Sequence, residues 1–202
     1  MLTLNNYKKI GISLSGGADS ALLAFLAMKF FKNQIVFFTT ASKEKKYITV
    51  KHSINVIKKC IELTNNNNVS QIIEYVNSQE RELFLNSLLE KVNNNFVDVI
   101  ITATTNIPSI SDRDLFSNKL DLNIENRRSP LNKKPLFTNE NKLYHPFINK
   151  DKKEIKKIYE SFNLLDSLFP LTRSCESFDV FDKHCGKCWW CEERQWAFGY
   201  LE

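Results

Sequence analysis

Apolar and polar positions along the first forty residues follow two different periods. Residues 8–15 alternate apolar with small or polar side chains, which predicts a first β-strand. Residues 18–31 have the composition and length of a helix with one apolar face. Residues 34–41 form an unbroken apolar run of strand length, as expected for a parallel strand buried on both faces.

The next sixty residues repeat this alternation. Residues 47–63 predict an amphipathic helix, and residues 69–76 a third strand. Residues 78–92 predict a helix with Ser78 as its N-cap and Arg81–Glu82 in its first turn. Residues 96–105, rich in β-branched side chains, give the strongest strand pattern in the chain.

The resulting β-α-β-α-β-α-β order predicts an α/β fold, a doubly wound and mostly parallel sheet with helices on both faces. Residues 106–142 depart from it, with three prolines and little periodicity, and predict a long excursion of functional or mobile character. Residues 149–165 predict another amphipathic helix. We expect a main domain over residues 1–170 and a C-terminal segment over residues 171–202.

Composition and charge narrow the class of protein. The 202 residues are 43% hydrophobic and include fifteen Phe, which is enough for a substantial core. The net charge is +5, but the lysines are spread along the chain and favour solvated faces over a dedicated nucleic-acid surface. Without a leader pattern in the first ten residues or an apolar stretch of about 20 residues, we expect a cytoplasmic protein.

Two of the five glycines stand side by side in Ser15-Gly16-Gly17-Ala18-Asp19-Ser20, at the predicted junction of the first strand and helix. Glycine lets the backbone approach a ligand, and a helix start offers free N–H groups. The loop therefore predicts a phosphate cradle rather than a merely tight, serine-capped turn. It contains neither the Walker pattern nor the G-x-G-x-x-G pattern of dinucleotide sites.

Four of the five cysteines lie within the last thirty residues, spaced C-x9-C-x2-C-x2-C. Such thiolates suit a closed tetrahedral zinc site with a structural role, and an iron–sulfur cluster is the alternative. The predicted ligands are Cys175, Cys185, Cys188 and Cys191.

The remaining histidine and cysteine candidates, and the aromatic residues of the C-terminal segment, are not predicted to bind the metal. His184 could replace a cysteine but is not needed, and Cys60 is predicted to be a core residue. Aromatic residues are predicted to pack the segment onto the domain rather than to stack on a nucleobase: Trp189, Trp190, Trp196 and Phe198.

The sequence SGGADS resembles the S-G-G-x-D-S loop of the PP-loop ATP pyrophosphatases, which bind ATP on an adenine-nucleotide α-hydrolase-like fold. The resemblance implies ATP and magnesium, with Asp19 helping to hold the metal ion and Asp19 and Ser20 acting in catalysis. The implied nucleotide-binding residues are Ser13, Leu14, Ser15, Gly16, Gly17, Ala18, Asp19 and Ser20.

The two motifs together resemble the 7-cyano-7-deazaguanine synthase family of the queuosine pathway. That family has T-x-S-C and C-G-x-C-x-x-C-x-x-R, matched here by TRSC (172–175) and CGKCWWCEER (185–194), although the usual Trp is Arg173. The stretch HPFINKDKKEIKKIYESFNL resembles a family strand and helix, and on this resemblance Lys153 would approach the phosphates. The altered loop after the fourth predicted strand offers Asn106, Asp112 and Arg113 as substrate contacts.

The resemblance implies a ligase that adenylates 7-carboxy-7-deazaguanine and uses ammonia and a second ATP to form the nitrile. Its partners would be the deazapurine and ammonia, and a homodimer is allowed. Two alternatives stay open: another PP-loop adenylating enzyme, acting on tRNA or in conjugation, and a non-catalytic zinc-bearing binding protein.

Overall fold

The computed structural model describes residues 4–42, 46–76, 81–117, 128, 134–177 and 182–202. Its centre is a six-stranded sheet in the order β3-β2-β1-β4-β6-β5. All neighbouring strands are parallel except β5, which is antiparallel to β6. The strands are β1 (Lys9–Ser13), β2 (Gln34–Ser42), β3 (Val69–Val76), β4 (Val99–Ile101), β5 (Leu136–Thr138) and β6 (Leu143–His145).

Helices lie on both faces of this sheet, which confirms the predicted doubly wound fold class. Among the described residues, no helix is both long and apolar enough to span a membrane. The helices are α1 (Ala18–Phe30), α2 (Lys46–Thr64), α3 (Arg81–Asn93), α4 (Ile110–Arg113), α5 (Lys152–Ser161) and α6 (Trp189–Phe198).

The strand order determines where a ligand can bind. The chain proceeds outward from β1 through β2 to β3, then returns to place β4 on the other side of β1. In open parallel sheets, ligands bind at such a reversal, beside the carboxyl ends of the strands. The loops that follow β1 and β4 therefore flank the candidate crevice, and both carry predicted functional residues.

Two apolar clusters occupy the two faces of the sheet. The larger contains Ile10 and Ile12 of β1 together with α1, α2, α5 and the end of α6. The smaller contains Val36, Phe38 and Ile100 packed against α3. Because α6 contributes Phe198 to the main cluster, the C-terminal segment packs directly on the sheet's helical layer. The division of the chain near residue 170 stays a prediction.

Several predicted boundaries change. The strand predicted at 96–105 is confined to Val99–Ile101, because the Asp98 carboxylate accepts backbone N–H groups on one side of it and the chain leaves the ladder on the other. The helix predicted at 149–165 begins at Lys152, after an N-cap, and ends at Ser161. The predicted N-cap Ser78 lies outside the described residues.

The excursion predicted at 106–142 contains regular secondary structure that its amino-acid composition did not predict. It includes the one-turn helix α4 and strand β5, which pairs with β6 across a tight turn. That turn places Asn139, Glu140 and Asn141 at positive φ, a conformation that asparagine tolerates better than most residues. Short strands separated by such turns leave too few residues for a recognisable alternation.

Candidate nucleotide and metal site

The glycine loop is closed by its two serines. The Ser15 and Ser20 hydroxyl oxygens lie 3.0 Å apart, and Ser20 Oγ donates to the Gly17 carbonyl oxygen at 3.1 Å. The Gly17 N–H donates to Ser15 Oγ at 3.3 Å. Gly17 is the N-cap of α1 and supplies no side chain to cap it. The first N–H groups of a thirteen-residue helix therefore remain available to an anion at the carboxyl end of β1.

Gly16 gives the loop its shape. Its φ is +78°, and an added Cβ would lie 2.7 Å from His52 Cβ and 3.0 Å from the Ser53 backbone nitrogen. The loop thus rests directly on helix α2. Only glycine combines this backbone conformation with this close approach, which explains why one of the chain's few glycines occurs at this position.

Asp19 and Lys152 form an ion pair beside the loop. Lys152 Nζ donates to Asp19 Oδ2, and the two side chains are 6% and 18% exposed. The second carboxylate oxygen, Asp19 Oδ1, is buried and has no hydrogen-bond partner among the described residues. An orphaned carboxylate oxygen beside a phosphate cradle fits a magnesium ion, which prefers carboxylate and phosphate oxygens.

The two lysines at the start of α5 have different partners. The approach of Lys153 to the phosphates, implied by the family resemblance, stays a prediction. In the structure Lys153 Nζ lies 3.7 Å from Asp112 Oδ1 and 4.2 Å from the centre of the Trp196 ring. Lys152 is the residue that contacts Asp19. The reason is the register of α5, whose capping box makes Asp151 the N-cap and directs the next side chain inward.

Four thiol groups converge in the C-terminal segment. Their sulfur atoms all lie within 4.8 Å of one another, with pairs at 3.9 Å and 4.0 Å. A tetrahedral site with zinc–sulfur bonds of about 2.3 Å needs sulfur atoms about 3.8 Å apart, so the donor set fits a single zinc ion. The residues brought together are the predicted set: Cys175, Cys185, Cys188 and Cys191.

These thiols ionise unequally. Burial opposes ionisation of Cys185, but the N–H groups of Lys187 and Cys188 outweigh it and lower the pKa of this thiol to about 6. Burial raises the pKa of Cys191 far above the ordinary value. A metal ion must displace thiol protons to gain four thiolate ligands, so metal affinity should rise with pH.

Residues outside the ligand set lie in the core or have partners of their own. Cys60 is fully buried in the core, and burial raises the pKa of its thiol to about 12. His184 Nε2 accepts the Ser174 N–H at 3.2 Å, and its Nδ1 lies 3.7 Å from Glu202 Oε1. Trp189 and Phe198 are buried, so both pack the segment onto the domain.

The metal segment touches the glycine loop. The Arg173 N–H donates to the Gly16 carbonyl oxygen at 3.0 Å. The Arg173 guanidinium turns the other way, to the carbonyl oxygens of Cys175 at 2.5 Å and Lys183 at 3.0 Å. One residue thus joins the predicted phosphate cradle to the loop that carries the first and second cysteine ligands.

Arg194 connects the two parts of the metal segment by hydrogen bonds. Its side chain is almost fully buried and donates to Thr172 Oγ1 at 2.8 Å, Ser174 Oγ at 3.3 Å and the Leu201 carbonyl oxygen at 2.7 Å. Burial lowers the pKa of Arg194 to about 10. Arg194 is the last residue of the CGKCWWCEER motif, so the two halves of the cysteine pattern are bonded to each other.

The predicted substrate residues occupy two places. Asn106 follows β4, and its N–H donates to the Lys150 carbonyl oxygen at 2.7 Å, just before α5. Asp112 lies in α4, where Ser109 Oγ at 2.6 Å and Trp196 Nε1 at 3.1 Å donate to its carboxylate. These hydrogen bonds lower the pKa of Asp112, and the one from Ser109 has the largest effect. Arg113 is half-buried in the same turn.

Comparison with known proteins agrees with the fold. The family model described as NAD synthase matches residues 1–98. That range includes the glycine loop and ends before β4, so the cysteine segment lies outside it. Among curated protein sequences, none matches the chain significantly.

Solved structures share the architecture at low identity. A U34-tRNA thiolase, NcsA from Methanococcus maripaludis, solved with its [4Fe-4S] cluster, is 13% identical, with a TM-score of 0.50 over 95% of this chain and 70% of that one. An NMN synthetase from Francisella tularensis is 15% identical, with a TM-score of 0.43 over 82% of this chain and 66% of that one. An NH3-dependent NAD synthetase from Campylobacter jejuni is 12% identical, with a TM-score of 0.42 over 82% and 68%. This chain thus spans about two thirds of the length of these proteins. At 13% identity, the match to the thiolase indicates a shared fold alone.

Proposed function

We propose that this protein is a PP-loop enzyme that adenylates 7-carboxy-7-deazaguanine and converts its carboxylate into a nitrile with ammonia. The observation that carries the proposal is the hydrogen bond from the Arg173 N–H to the Gly16 carbonyl oxygen. It joins the TRSC sequence of the metal segment to the SGGADS loop. These are the two patterns whose combination resembles the 7-cyano-7-deazaguanine synthase family.

In the proposed reaction the loop residues hold the pyrophosphate leaving group. The N–H groups at the start of α1, together with the Ser15 and Ser20 hydroxyls, would contact the β- and γ-phosphates. Lys152 would exchange its contact with Asp19 for a phosphate oxygen when ATP binds. Asp19 would hold magnesium, whose charge would stabilise the pyrophosphate that leaves as its bond to the α-phosphorus breaks.

The chemistry proceeds in two activation steps. A carboxylate oxygen of the deazapurine attacks the α-phosphorus of ATP, which releases pyrophosphate and leaves an acyl adenylate. Ammonia attacks the acyl carbon, AMP leaves, and a proton is lost to give the amide. A second ATP adenylates the amide oxygen and releases a second pyrophosphate, and loss of AMP and two protons leaves the nitrile. In each step the protein positions the reactants and stabilises the leaving group.

The metal segment has a structural part in this proposal. Four cysteine ligands fill a tetrahedral zinc site and leave no position for substrate. Through Arg173 and Gly16 the segment instead supports the loop from outside. The family model that matches residues 1–98 is named for a synthase that makes a nucleotide, which agrees with a nucleotide site at this loop.

A stopped assay tests the proposal. The zinc-loaded protein is incubated with ATP, magnesium, 15N-ammonium and 7-carboxy-7-deazaguanine, and AMP and product are followed by mass spectrometry. We expect a 15N-labelled nitrile, with AMP formation that depends on the deazapurine. No AMP with this substrate, or AMP only when tRNA is supplied, would overturn the substrate assignment.

Variants test the loop separately from the substrate. Asp19→Asn keeps the side-chain volume but removes the charge that would hold magnesium, so we expect AMP formation to fall by about 10- to 100-fold. Ser20→Ala should also reduce it, because it removes one hydroxyl from the cradle. Lys157→Met is the control, since Lys157 is exposed on α5. Full activity in Asp19→Asn would refute the assigned magnesium contact.

A further inference from the structure

A buried ion pair joins the excursion to the metal segment. Arg128 NH2 lies 2.5 Å from Glu193 Oε1, and the side chains of Arg128 and Glu193 are 7% and 0% exposed. A second contact runs from Arg128 NH1 to Glu193 Oε2 at 3.4 Å. Burying two charges carries a large desolvation cost, so such a pair is weak evidence for stability and calls for another explanation.

The remaining donors of Arg128 bind the backbone that follows β4. Nε donates to the Thr105 carbonyl oxygen at 3.0 Å, and NH2 donates to the Asn106 carbonyl oxygen at 2.8 Å and to Thr105 Oγ1 at 3.0 Å. In return, the Arg128 carbonyl oxygen accepts the Ile107 N–H at 3.1 Å. The fork of a planar guanidinium reaches these oxygens and Glu193 together, with the two NH2 hydrogens shared among three acceptors, whereas a single ammonium cannot reach them all.

The residue that these contacts hold is Asn106. Its N–H donates to Lys150, its carbonyl accepts from Arg128, and its side-chain Oδ1 accepts the Ile107 N–H at 2.9 Å. With the oxygen so occupied, the NH2 group is the free end of the carboxamide: no acceptor among the described residues takes it. Asn106 is half-buried in the loop that follows β4, one of the two loops that flank the reversal of strand order where ligands bind.

The other end of the ion pair is tied to the metal ligands. Glu193 lies on α6, two residues after the ligand Cys191, and Cys188 is the N-cap of that helix. A metal bound by both cysteines would fix the first turn of α6 and with it the direction of Glu193. The contacts therefore run without a gap from the metal site through Glu193 and Arg128 to Asn106.

We propose that Arg128 and Glu193 are positioning residues that aim the Asn106 NH2 group at the substrate and make its position depend on the occupied metal site. The identity of the ligand rests on the proposed function. An amide NH2 donor suits the acceptor atoms of a deazapurine, its ring nitrogen and its carbonyl oxygen. The contacts among the protein's own residues do not depend on that identity.

Hydrogen exchange tests the positioning without any substrate. The amide of Ile107 should exchange slowly in the zinc-loaded protein, because it donates to both Arg128 and Asn106. Glu193→Gln should speed hydrogen exchange of the peptide that contains Ile107 by about tenfold, and leave the exchange rate of β3 unchanged. Chelating the zinc should have the same local effect. Glu62→Gln, which neutralises an exposed pair with Lys59, is the control that should change nothing.

Binding measurements then test the link to substrate. In Arg128→Lys we expect the affinity for 7-carboxy-7-deazaguanine to fall by about tenfold, with ATP affinity unchanged within about twofold. If single variants fail to fold, Arg128→Met combined with Glu193→Met replaces the pair by apolar side chains and should keep the fold while losing the same affinity.

The outcomes separate this proposal from the proposed function. Unchanged exchange at Ile107 in Glu193→Gln would overturn the positioning role, whatever the substrate proves to be. Equal losses of ATP and deazapurine affinity in Arg128→Lys would also overturn it, because they indicate a general disturbance. If the wild-type protein binds no deazapurine, the proposed substrate is refuted while the exchange experiment still decides the positioning role.

Discussion

The adjacent glycines of the loop should respond very differently to the same substitution. At Gly16, alanine would carry a Cβ into the left-handed region, which costs about 1–2 kcal/mol. The same Cβ would meet His52 Cβ at 2.7 Å, the Ser53 nitrogen at 3.0 Å and the His52 carbonyl carbon at 3.1 Å. Two of these atoms are backbone, so helix α2 would have to shift.

The second cost is that of overpacking a well-packed interior, about 1–3 kcal/mol. Together the two costs predict that Gly16→Ala lowers the free energy of unfolding by about 2–5 kcal/mol. At Gly17 the φ is −79°, and an added Cβ meets only Ser15 Oγ at 3.4 Å and the Arg173 carbonyl oxygen at 3.6 Å. Both are ordinary contacts, so Gly17→Ala should change stability by less than about 1 kcal/mol.

Urea unfolding of the zinc-loaded proteins, followed by circular dichroism, measures this difference. For a dependence of about 2 kcal/mol per molar urea, the midpoint of Gly16→Ala should fall by about 1–2.5 M and that of Gly17→Ala by less than about 0.5 M. A Gly16→Ala midpoint within experimental error of wild type, or a larger loss in Gly17→Ala, would refute the argument from φ and close approach. The wild-type protein provides the reference slope.

Three further predictions concern the charged and metal-binding residues. Lys152→Met should reduce ATP affinity by about 10- to 100-fold and Lys153→Met by much less, as measured by equilibrium binding. Cys191→Ser should abolish stoichiometric zinc in metal analysis, and, like chelation of the wild-type protein, lower its melting temperature by about 10 °C or more; full zinc content would contradict the ligand set. Because Lys51 lowers the pKa of Asp182 from 3.8, this carboxylate stabilises the fold above pH 3.8 and loses that contribution as the pH falls below it. The stability gap between wild type and Asp182→Asn, measured by urea unfolding at several pH values, should therefore close in acid.

Elements with a strong local pattern were predicted well from the sequence. Strand β3 was predicted at 69–76 and is observed as Val69–Val76. The glycine loop was predicted between a strand and a helix, and it lies there because Ser13 ends β1 and Ala18 begins α1. The four cysteines also converge as predicted, since their close spacing brings three of them together in almost any fold.

Residues that depend on register or on distant contacts could not be predicted in the same way. Choosing between Lys152 and Lys153 requires the first residue of α5, which the Asp151–Glu154 capping box determines. That D-x-x-E pattern was visible in the sequence and could have selected Lys152. No local pattern could have identified Arg128, because its partner Glu193 is 65 residues away.

Arg173 replaces the tryptophan of the family pattern, yet it still connects the metal segment to the glycine loop. The family that the motifs resemble has tryptophan at this position, and the charge of an arginine beside a phosphate cradle would suggest a phosphate contact. The guanidinium instead donates to the carbonyl oxygens of Cys175, Ser177 and Lys183, all in the metal segment. Its backbone N–H reaches the loop, where it donates to the Gly16 carbonyl oxygen. The hydrogen bond to the glycine loop comes from the main chain of residue 173, so it does not depend on the type of side chain. The side chain needs only to hold the cysteine loop in place. The departure therefore leaves the proposed phosphate chemistry unchanged and assigns Arg173 to the joining of the metal segment with the nucleotide loop.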